Sequence, residues 1–274
     1  MSKLVSVCIP AYNSSEYIGR TIESVLSQTY ENLELIVVDD CSVDNTVDIV
    51  RSFLDERVRL ICNEQNLGMT GNWNKCINEA KGEYIKLIPA DDCIYPECIE
   101  QSVAVLSDKP EISLVIVGSD LVNNEDRVIG SYMHWKKQGL VKGSIIAKRS
   151  AMYNNFFGNP VCAMFRKKDF ERTGGFDKDI PYILDFDLWL MLTAFGDVWV
   201  IKDKLSAFRV RRDSNTGVLT GKGVKIYNEE HRRLLDKHIG LGTFRMNRIE
   251  RRFSIVWRAM RNGIIAFYIR IKNR

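Results

Sequence analysis

Two pairs of adjacent aspartates each follow a run of apolar residues. Asp39 and Asp40 come directly after a run that begins at Leu33, and Asp91 and Asp92 lie just beyond a second run. Carboxylates are the protein ligands that Mg²⁺ and Mn²⁺ prefer, and a bound cation attracts phosphate oxygens. If both runs are strands that end at one edge of a sheet, the pairs predict a site there for a cation and a charged nucleotide.

The N-terminal part of the chain alternates strands with helices, which would bring the two pairs together. The run that ends at Val38 has Leu, Ile and Val on both faces, as expected for a strand of a parallel sheet covered by helices on each side. Ligands of such doubly wound sheets bind at the carboxyl ends of the strands. Four strands are predicted, over residues 5–10, 33–38, 58–62 and 84–88. The pattern therefore predicts an α/β fold with a doubly wound, mostly parallel sheet flanked by helices.

The later part of the chain is less regular. Residues 131–160 are rich in Lys, Asn and Gly and are expected to form an irregular, mobile segment near an acceptor site. On a predicted polar helix over residues 227–238, His231 and His238 lie seven positions apart, which is typical of surface residues. The other predicted elements are a strand over 161–165, a helix over 185–195, and two short strands over 198–201 and 207–210.

The composition favours a globular protein and excludes several classes. Apolar residues make up 45% of the 274 residues, and the net charge of +4 is too small to argue for a nucleic-acid partner. There is no signal-peptide pattern and no run of eighteen apolar residues, which predicts a cytoplasmic protein without a membrane span. The seven cysteines are scattered and odd in number, so reduced thiols are expected.

A series of short motifs occurs in a fixed order along the chain. It comprises VSVCIPAYN (5–13), SVLSQTY (24–30), VDD (38–40) followed by Asp44, NLG (66–68), AKGEYI (80–85), ADD (90–92) and DFDLWL (185–190). This ordered set resembles the family 2 glycosyltransferases of GT-A fold over roughly residues 4–215. The resemblance implies inverting transfer of a sugar from a nucleoside-diphosphate donor. It also implies a GT-A domain over residues 1–215, with a nucleotide-sugar half over about 1–120, an acceptor half over about 121–215, and a C-terminal helical extension over 216–274.

The resemblance assigns a metal role to the second acidic pair. The family has Asp-x-Asp at the end of this strand, whereas this chain has Pro89 at the first position. The metal role therefore falls to Asp91, with Mn²⁺ or Mg²⁺ as the cofactor, and Asp92 is expected to shape the site beside it. A capped turn with two solvated acids is the other interpretation.

The first two strands would supply the contacts to the nucleotide. Asp40 is expected to accept a hydrogen bond from a ring N–H of uracil or thymine, while Asp39 either supports that contact or only caps the turn. Pro10, Ala11 and Tyr12 end the first strand at the same rim, where Tyr12 either stacks on the base or simply packs. The expected donor is a UDP-linked or dTDP-linked sugar.

The acceptor half offers a candidate general base. By resemblance, Asp185 removes the proton of the acceptor hydroxyl, but the family's preceding Glu is Leu184 here, and this apolar neighbour could raise the pKa of Asp185. Asp187 is the alternate base, and an ordinary helix N-cap is the other interpretation of Asp185.

Arg211 and Arg212 could close over the diphosphate and stabilise its charge, or could be solvated surface residues.

The tail from Arg245 onward is basic and amphipathic. Its apolar residues recur every three or four positions, at Ile249, Phe253, Trp257, Met260, Ile264, Phe267 and Ile271. This stripe could lie on an anionic membrane surface or pack against the domain, and the sequence does not separate the two. A lipid-linked acceptor would favour the membrane. The expected acceptor is thus a glycan or lipid-linked glycan, used in bacterial surface polysaccharide assembly on the cytoplasmic face of the inner membrane.

Two other functions are alternatives to sugar transfer, and the sequence bears on each of them. Pro89 and Leu184 each replace an expected acid, which would suit a sugar-nucleotide-binding protein that has lost its activity. A nucleotidyltransferase would need a glycine-rich, basic loop after the first strand, and residues 11–14 do not form one.

Overall fold

The computed structural model describes residues 2–133, 135, 137–211 and 222–272, and the side chains in these ranges apart from those of residues 222 and 265–272. These ranges contain ten strands of one sheet. The strands are β1 (Val5–Ala11), β2 (Leu33–Asp39), β3 (Val58–Cys62), β4 (Tyr84–Leu87), β5 (Cys93–Ile94), β6 (Ile112–Val122), β7 (Val128–Tyr132), β8 (Gly139–Val141), β9 (Ala163–Arg166) and β10 (Asp197–Arg209).

The sheet is mostly parallel, as the sequence predicts. Its strand order is β3-β2-β1-β4-β9-β6-β10-β5, with β7 paired to β6 and β8 paired to β10. Strands β1 to β4 run parallel, and β9 is antiparallel to both of its neighbours, β4 and β6. The strands β1, β2 and β4 therefore end at one edge, which we call the carboxyl edge.

Helices cover both faces of this sheet. They are α1 (Ile18–Leu26), α2 (Thr46–Arg51), α3 (Gly68–Asn78), α4 (Cys98–Asp108), α5 (Gly143–Met152), α6 (Lys167–Thr173), α7 (Leu184–Leu192), α8 (Lys222–Gly240) and α9 (Arg248–Lys272), with a 3₁₀ turn at Pro160–Cys162. Alternate strand residues point to opposite faces. Ile36 of β2 packs in the core beneath α3 and α7, while Val37 packs in the core beneath α1 and α4. Both faces are buried, which explains why Leu, Ile and Val occupy both faces of β2.

Two segments differ from the sequence predictions. Residues 131–160 contain the ten-residue helix α5, whose Ile146, Ala147 and Ala151 are fully buried. Its helical period is weak in the sequence because two of these three buried side chains are alanines. The two short strands predicted over 198–201 and 207–210 are parts of the single strand β10, whose pairing register shifts around the exposed Lys204.

The C-terminal helices pack onto the rest of the chain. Leu234 and Leu235 of α8 are buried in the same core as α7, and α9 contacts α5 and α8. Among the described residues, no helix has both the length and the apolar character needed to cross a bilayer.

Candidate active site

A cleft at the carboxyl edge brings together six of the residues selected from the sequence. We call it the acidic cleft, and its volume is about 380 Å³. Its lining comes from the ends of β1, β2 and β4, the start of α3 and the segment after β10. The lining residues are Pro10, Ala11, Tyr12, Asn13, Ser14, Asp40, Asn66, Gly68, Met69, Asn72, Trp73, Pro89, Ala90, Asp91 and Arg211.

The loop after β1 is fixed to the loop after β2. The main-chain N–H of Asn13 donates to Ser42 Oγ (2.8 Å), and Asp44 Oδ2 accepts the N–H of Ser15 (3.0 Å). Burial would raise the pKa of Asp44, but hydrogen bonds from Thr46 and Ser15 outweigh it and lower the pKa to about 2. Asp44 is therefore ionised at neutral pH and holds the rim of the acidic cleft, on which Tyr12 stands half exposed.

Asp40 lines the cleft but is anchored from behind. Its Oδ1 atom accepts hydrogen bonds from Asn63 Nδ2 (2.7 Å) and from the main-chain N–H of Leu67 (2.8 Å). Asn72 extends this network, because its Oδ1 accepts from Asn63 and its Nδ2 donates to Val38 O (3.0 Å). The side chain of Asp40 is thus held in one orientation at the floor of the cleft.

Asp39 does not line the cleft. Its buried Oδ2 atom accepts the N–H of Ser42 (3.0 Å), which is the turn-capping role that the sequence left open. Its Oδ1 atom is also buried and has no hydrogen-bond partner among the described residues.

Asp91 faces the cleft beside a guanidinium group. Arg211 Nε lies 3.3 Å from Asp91 Oδ2, and the Arg211 side chain stacks on the ring of Tyr17 at 5.2 Å. An arginine in this position can donate hydrogen bonds to the phosphate groups of a ligand, while a cation held by Asp91 binds the same phosphates. Arg212, the other arginine selected from the sequence, lies outside the described residues.

Asp92 is buried behind the cleft and does not line it. Its Oδ1 accepts the main-chain N–H of Arg209 (2.8 Å), and burial together with the charge of Asp91 raises its pKa well above the usual range. The Arg209 side chain is itself buried, donates to Asp91 O (3.0 Å) and forms an ion pair with Asp126. Asp92 and Arg209 together hold the loop that presents Asp91, so a direct nucleotide contact by Asp92 is not supported by this geometry.

The residues of the cleft fit a divalent cation that is shared with a ligand. Within the described ranges, no three His, Cys, Asp or Glu side chains lie close enough to hold a metal ion by themselves. Mg²⁺, however, commonly binds through one or two carboxylates, with waters and substrate phosphates filling the other positions. Asp91 lines the cleft and suits that mode of binding.

Asp185 lies in the first turn of α7 and is not among the residues that line the acidic cleft. Burial raises its pKa to about 6, although the N–H groups of Phe186 and of Asp185 itself donate to the carboxylate. The pKa of the nearby Tyr132 hydroxyl is raised, mainly by burial and to a smaller extent by the charges of Cys162 and Asp185. Tyr132 itself pairs with Ser119 in the C-terminal half of β6.

Asp187, the alternate base, has a different environment. Its carboxylate is buried and binds Lys237 Nζ (2.7 Å) and His238 Nε2 (2.9 Å) of α8. Both oxygens are engaged in the interior, so Asp187 is unsuited to act on an acceptor.

The expectation that His231 and His238 are surface residues is wrong, because both side chains are buried. The charged pattern of α8 indicated solvent exposure and gave no sign of the partner on α7.

A second contact from α8 supports the segment before Asp185. The buried carboxylate of Glu230 accepts the main-chain N–H groups of Tyr182 (2.9 Å) and Ile183 (3.1 Å). These groups precede the first turn of α7, where backbone N–H groups lack partners within the helix. Sequence reasoning did not select Glu230, Lys237 or His238.

The fold and the site together define a glycosyltransferase of the GT-A fold. A family model, Glycosyl transferase family 2, matches residues 6–174. The chain therefore belongs to glycosyltransferase family 2, as its motifs predict.

Relatives and solved structures agree with this assignment. A glycosyltransferase from Haemophilus influenzae, itself uncharacterized, is 31% identical over 223 residues, which cover 78% of this chain and 68% of that protein. Chondroitin synthase from Escherichia coli is 29% identical over 238 residues, covering 86% of this chain but 32% of that protein.

Two solved structures show the same fold at 17% identity. Staphylococcus aureus TarS in complex with UDP-GlcNAc has a TM-score of 0.67 and covers 87% of this chain and 73% of its own. The mannosyltransferase PcManGT from Pyrobaculum calidifontis, in complex with GDP-Man and Mn²⁺, has a TM-score of 0.66 and covers 98% of this chain and 73% of its own.

Proposed function

We propose that this protein transfers a sugar, with inversion, from a UDP-linked or dTDP-linked donor to a hydroxyl group of a glycan or lipid-linked glycan. The observation that carries the proposal is the acidic cleft, in which Asp40, Asp91 and Arg211 share one space at the carboxyl edge. TarS binds UDP-GlcNAc on the same fold, which supports a nucleoside-diphosphate donor in this cleft.

The cleft offers a separate group for each part of such a donor. Asp40 and Tyr12, which both line the cleft, would contact the nucleobase. Asp91 and Arg211 lie where the diphosphate would bind. A divalent cation held by Asp91 would neutralise charge that develops on the diphosphate as it leaves. Arg211 is positioned to stabilise the same charge.

Asp185 is the general base in this proposal. It accepts the proton of the acceptor hydroxyl, whose oxygen attacks the anomeric carbon while the bond from that carbon to the phosphate oxygen breaks. A base of pKa about 6 is largely ionised at neutral pH and is more basic than an ordinary aspartate. One displacement inverts the anomeric configuration and requires no covalent intermediate on the protein.

The competing proposal is a sugar-nucleotide-binding protein without activity. The observation that favours it is Pro89, which lines the cleft where the family has a carboxylate. Turnover of the donor separates the two functions, because a binding protein holds the donor without releasing nucleoside diphosphate.

A donor and metal panel tests the proposal. The purified chain is incubated with UDP-linked and dTDP-linked sugars and hydroxyl acceptors, in the presence of Mn²⁺, Mg²⁺ or EDTA, and release of nucleoside diphosphate is measured. The proposal expects acceptor-dependent release with one donor, loss in EDTA, and a product of inverted configuration by NMR. Tight donor binding without release in any combination would favour the inactive binding protein. A product of retained configuration would reject the single displacement by the acceptor hydroxyl.

A further inference from the structure

The long helix α9 turns a polar face towards the rest of the chain. Ser254, Arg258 and Asn262 are spaced four residues apart and are all buried. Ser254 Oγ donates to Ala151 O (2.7 Å), and Arg258 Nη2 donates to Ser150 O (2.9 Å), both at the end of α5. The packing of α9 on α5 therefore relies on hydrogen bonds from buried polar groups.

Most of the large apolar side chains of α9 lie on the opposite face, whereas Ile255 packs against the core. Five of them form a continuous row at helical spacing, which we call the outer stripe, and each is between 43% and 79% exposed: Ile249, Phe253, Val256, Met260 and Ile264. The interpretation in which the stripe packs against the domain is therefore wrong for the side chains described. Trp257, which the sequence placed in the stripe, is partly buried at its margin, and Val256 is exposed instead.

Aromatic rings border the outer stripe. The rings of Phe253 and Trp257 stack with centroids 6.1 Å apart, and Tyr153 of α5 meets Phe253 edge-on at 5.8 Å. Trp257 Nε1 donates to Tyr153 O (3.0 Å), which fixes the indole. Tyrosine and tryptophan side chains concentrate at the boundary between lipid and water, because one end of each is apolar and the other polar.

The charges next to the outer stripe are positive. Arg245, Arg248 and Arg252 are exposed, and none of them forms an ion pair with another described residue. The acids nearby are already paired: Glu250 binds Lys148, and Asp236 binds Arg251. Within the described part of the chain, these arginines have no acidic partner, and an anionic surface would complement their charge.

We propose that the outer stripe and its three arginines dock this chain on the surface of an anionic lipid bilayer. α9 lies in the plane of the interface, with the outer stripe among the upper acyl groups and the arginines at the lipid phosphates. A second copy of the chain is a poorer occupant, since a two-fold contact through this face would bring like-charged arginines together. No residue of the outer stripe lines the acidic cleft, and the proposal does not depend on the proposed reaction.

Vesicle sedimentation of the full chain tests this proposal. Vesicles of phosphatidylcholine alone are compared with vesicles that also contain phosphatidylglycerol. We expect binding to the anionic vesicles that weakens with added salt. The double variant Arg248→Gln, Arg252→Gln should weaken that binding by about 30-fold, given the usual contribution of each basic residue near such a surface. Val256→Asp should weaken it at least about tenfold, because one aliphatic side chain is lost from the interface.

Leu54→Asp is the matched control, because Leu54 is an aliphatic residue that is 97% exposed and lies far from α9 in the sequence. It should bind vesicles as the parent does, and circular dichroism melts should show that all variants fold. Equal binding of Val256→Asp and the parent, or no preference for anionic lipid, would overturn the proposal. So would a dimer in light scattering that Val256→Asp dissociates, because the outer stripe would then belong to a second copy.

Discussion

Asp185→Asn is expected to lower activity and raise stability at the same time. Burial raises the pKa of Asp185 from 3.8 to about 6, so its ionised form, which the proposed reaction requires, is disfavoured in the folded protein. Asparagine keeps the size of the side chain and an oxygen for the local N–H donors, but it cannot accept the proton of an acceptor. General-base catalysis contributes about 10²–10⁴ in rate, and we expect a loss of kcat in that range with donor affinity retained.

The pH dependence of the parent follows from the same pKa. With a pKa of about 6, the base is about nine-tenths ionised at pH 7 and about one-tenth ionised at pH 5. The rate should therefore fall about tenfold between these pH values, whereas a base of ordinary pKa would lose less than a tenth of its activity. The assay is kcat for sugar transfer at saturating donor from pH 5 to pH 8, and a flat profile would refute the assignment.

The stability effect has a defined sign and pH window. The folded pKa of Asp185 is above its unfolded value, so the carboxylate destabilises the fold fully above about pH 6 and not at all below about pH 3.8. Asp185→Asn removes this penalty, and the free energy of unfolding at pH 7 should rise by up to about 3 kcal/mol. The gain should shrink as the pH falls towards 4.

Asp187→Asn is the control for that measurement. It makes the same chemical change two residues away, but it breaks the buried contacts with Lys237 and His238. We expect it to lower the free energy of unfolding by about 3 kcal/mol or more. If the two variants changed stability in the same direction, our description of these two environments would be wrong.

Substitutions at three other positions test separate parts of the site. Asp91→Ala should abolish metal-dependent turnover and weaken binding of UDP by at least tenfold in calorimetry with Mn²⁺. Weak binding of UDP without metal should be unchanged. Turnover within a few fold of the parent would discard the metal assignment. Arg211→Lys keeps the charge but loses the planar guanidinium, so kcat should fall about 10-fold or more, and an unaltered kcat would mean that Arg211 does not contact the diphosphate. Glu230→Gln retains one acceptor oxygen for the N–H groups before α7, so kcat should fall only a few fold. Glu230→Ala removes that acceptor and should shift the pH profile governed by Asp185. Identical pH profiles of Glu230→Ala and the parent would show that Glu230 does not position Asp185.

The fold was predictable where neighbouring residues determine it. The strands β2 and β4 are buried on both faces, so most of their positions are apolar and the runs are plain in the sequence. Once these strands are parallel neighbours of β1, the meeting of Asp40 and Asp91 at one edge follows from the topology alone. The helix α5 was missed because its contacts are made mainly by alanines among lysines and arginines.

The parts that were not predictable depend on contacts between distant segments. The partners of Asp187, Lys237 and His238, lie about fifty positions away, and only the packing of α8 on α7 shows that they are buried. The tail gives the clearest contrast. Its periodicity correctly indicates an apolar face, but periodicity cannot show which face meets the domain, and the buried Arg258 determines that arrangement.

A crystal structure of the chain soaked with UDP and Mn²⁺ tests the central claim most directly. Anomalous scattering locates the metal independently of the nucleotide. The account predicts one Mn²⁺ beside Asp91, the diphosphate between that ion and Arg211, and the uracil ring at the end of the cleft formed by Asp40 and Tyr12. Nucleotide and metal bound together anywhere outside the acidic cleft would contradict it.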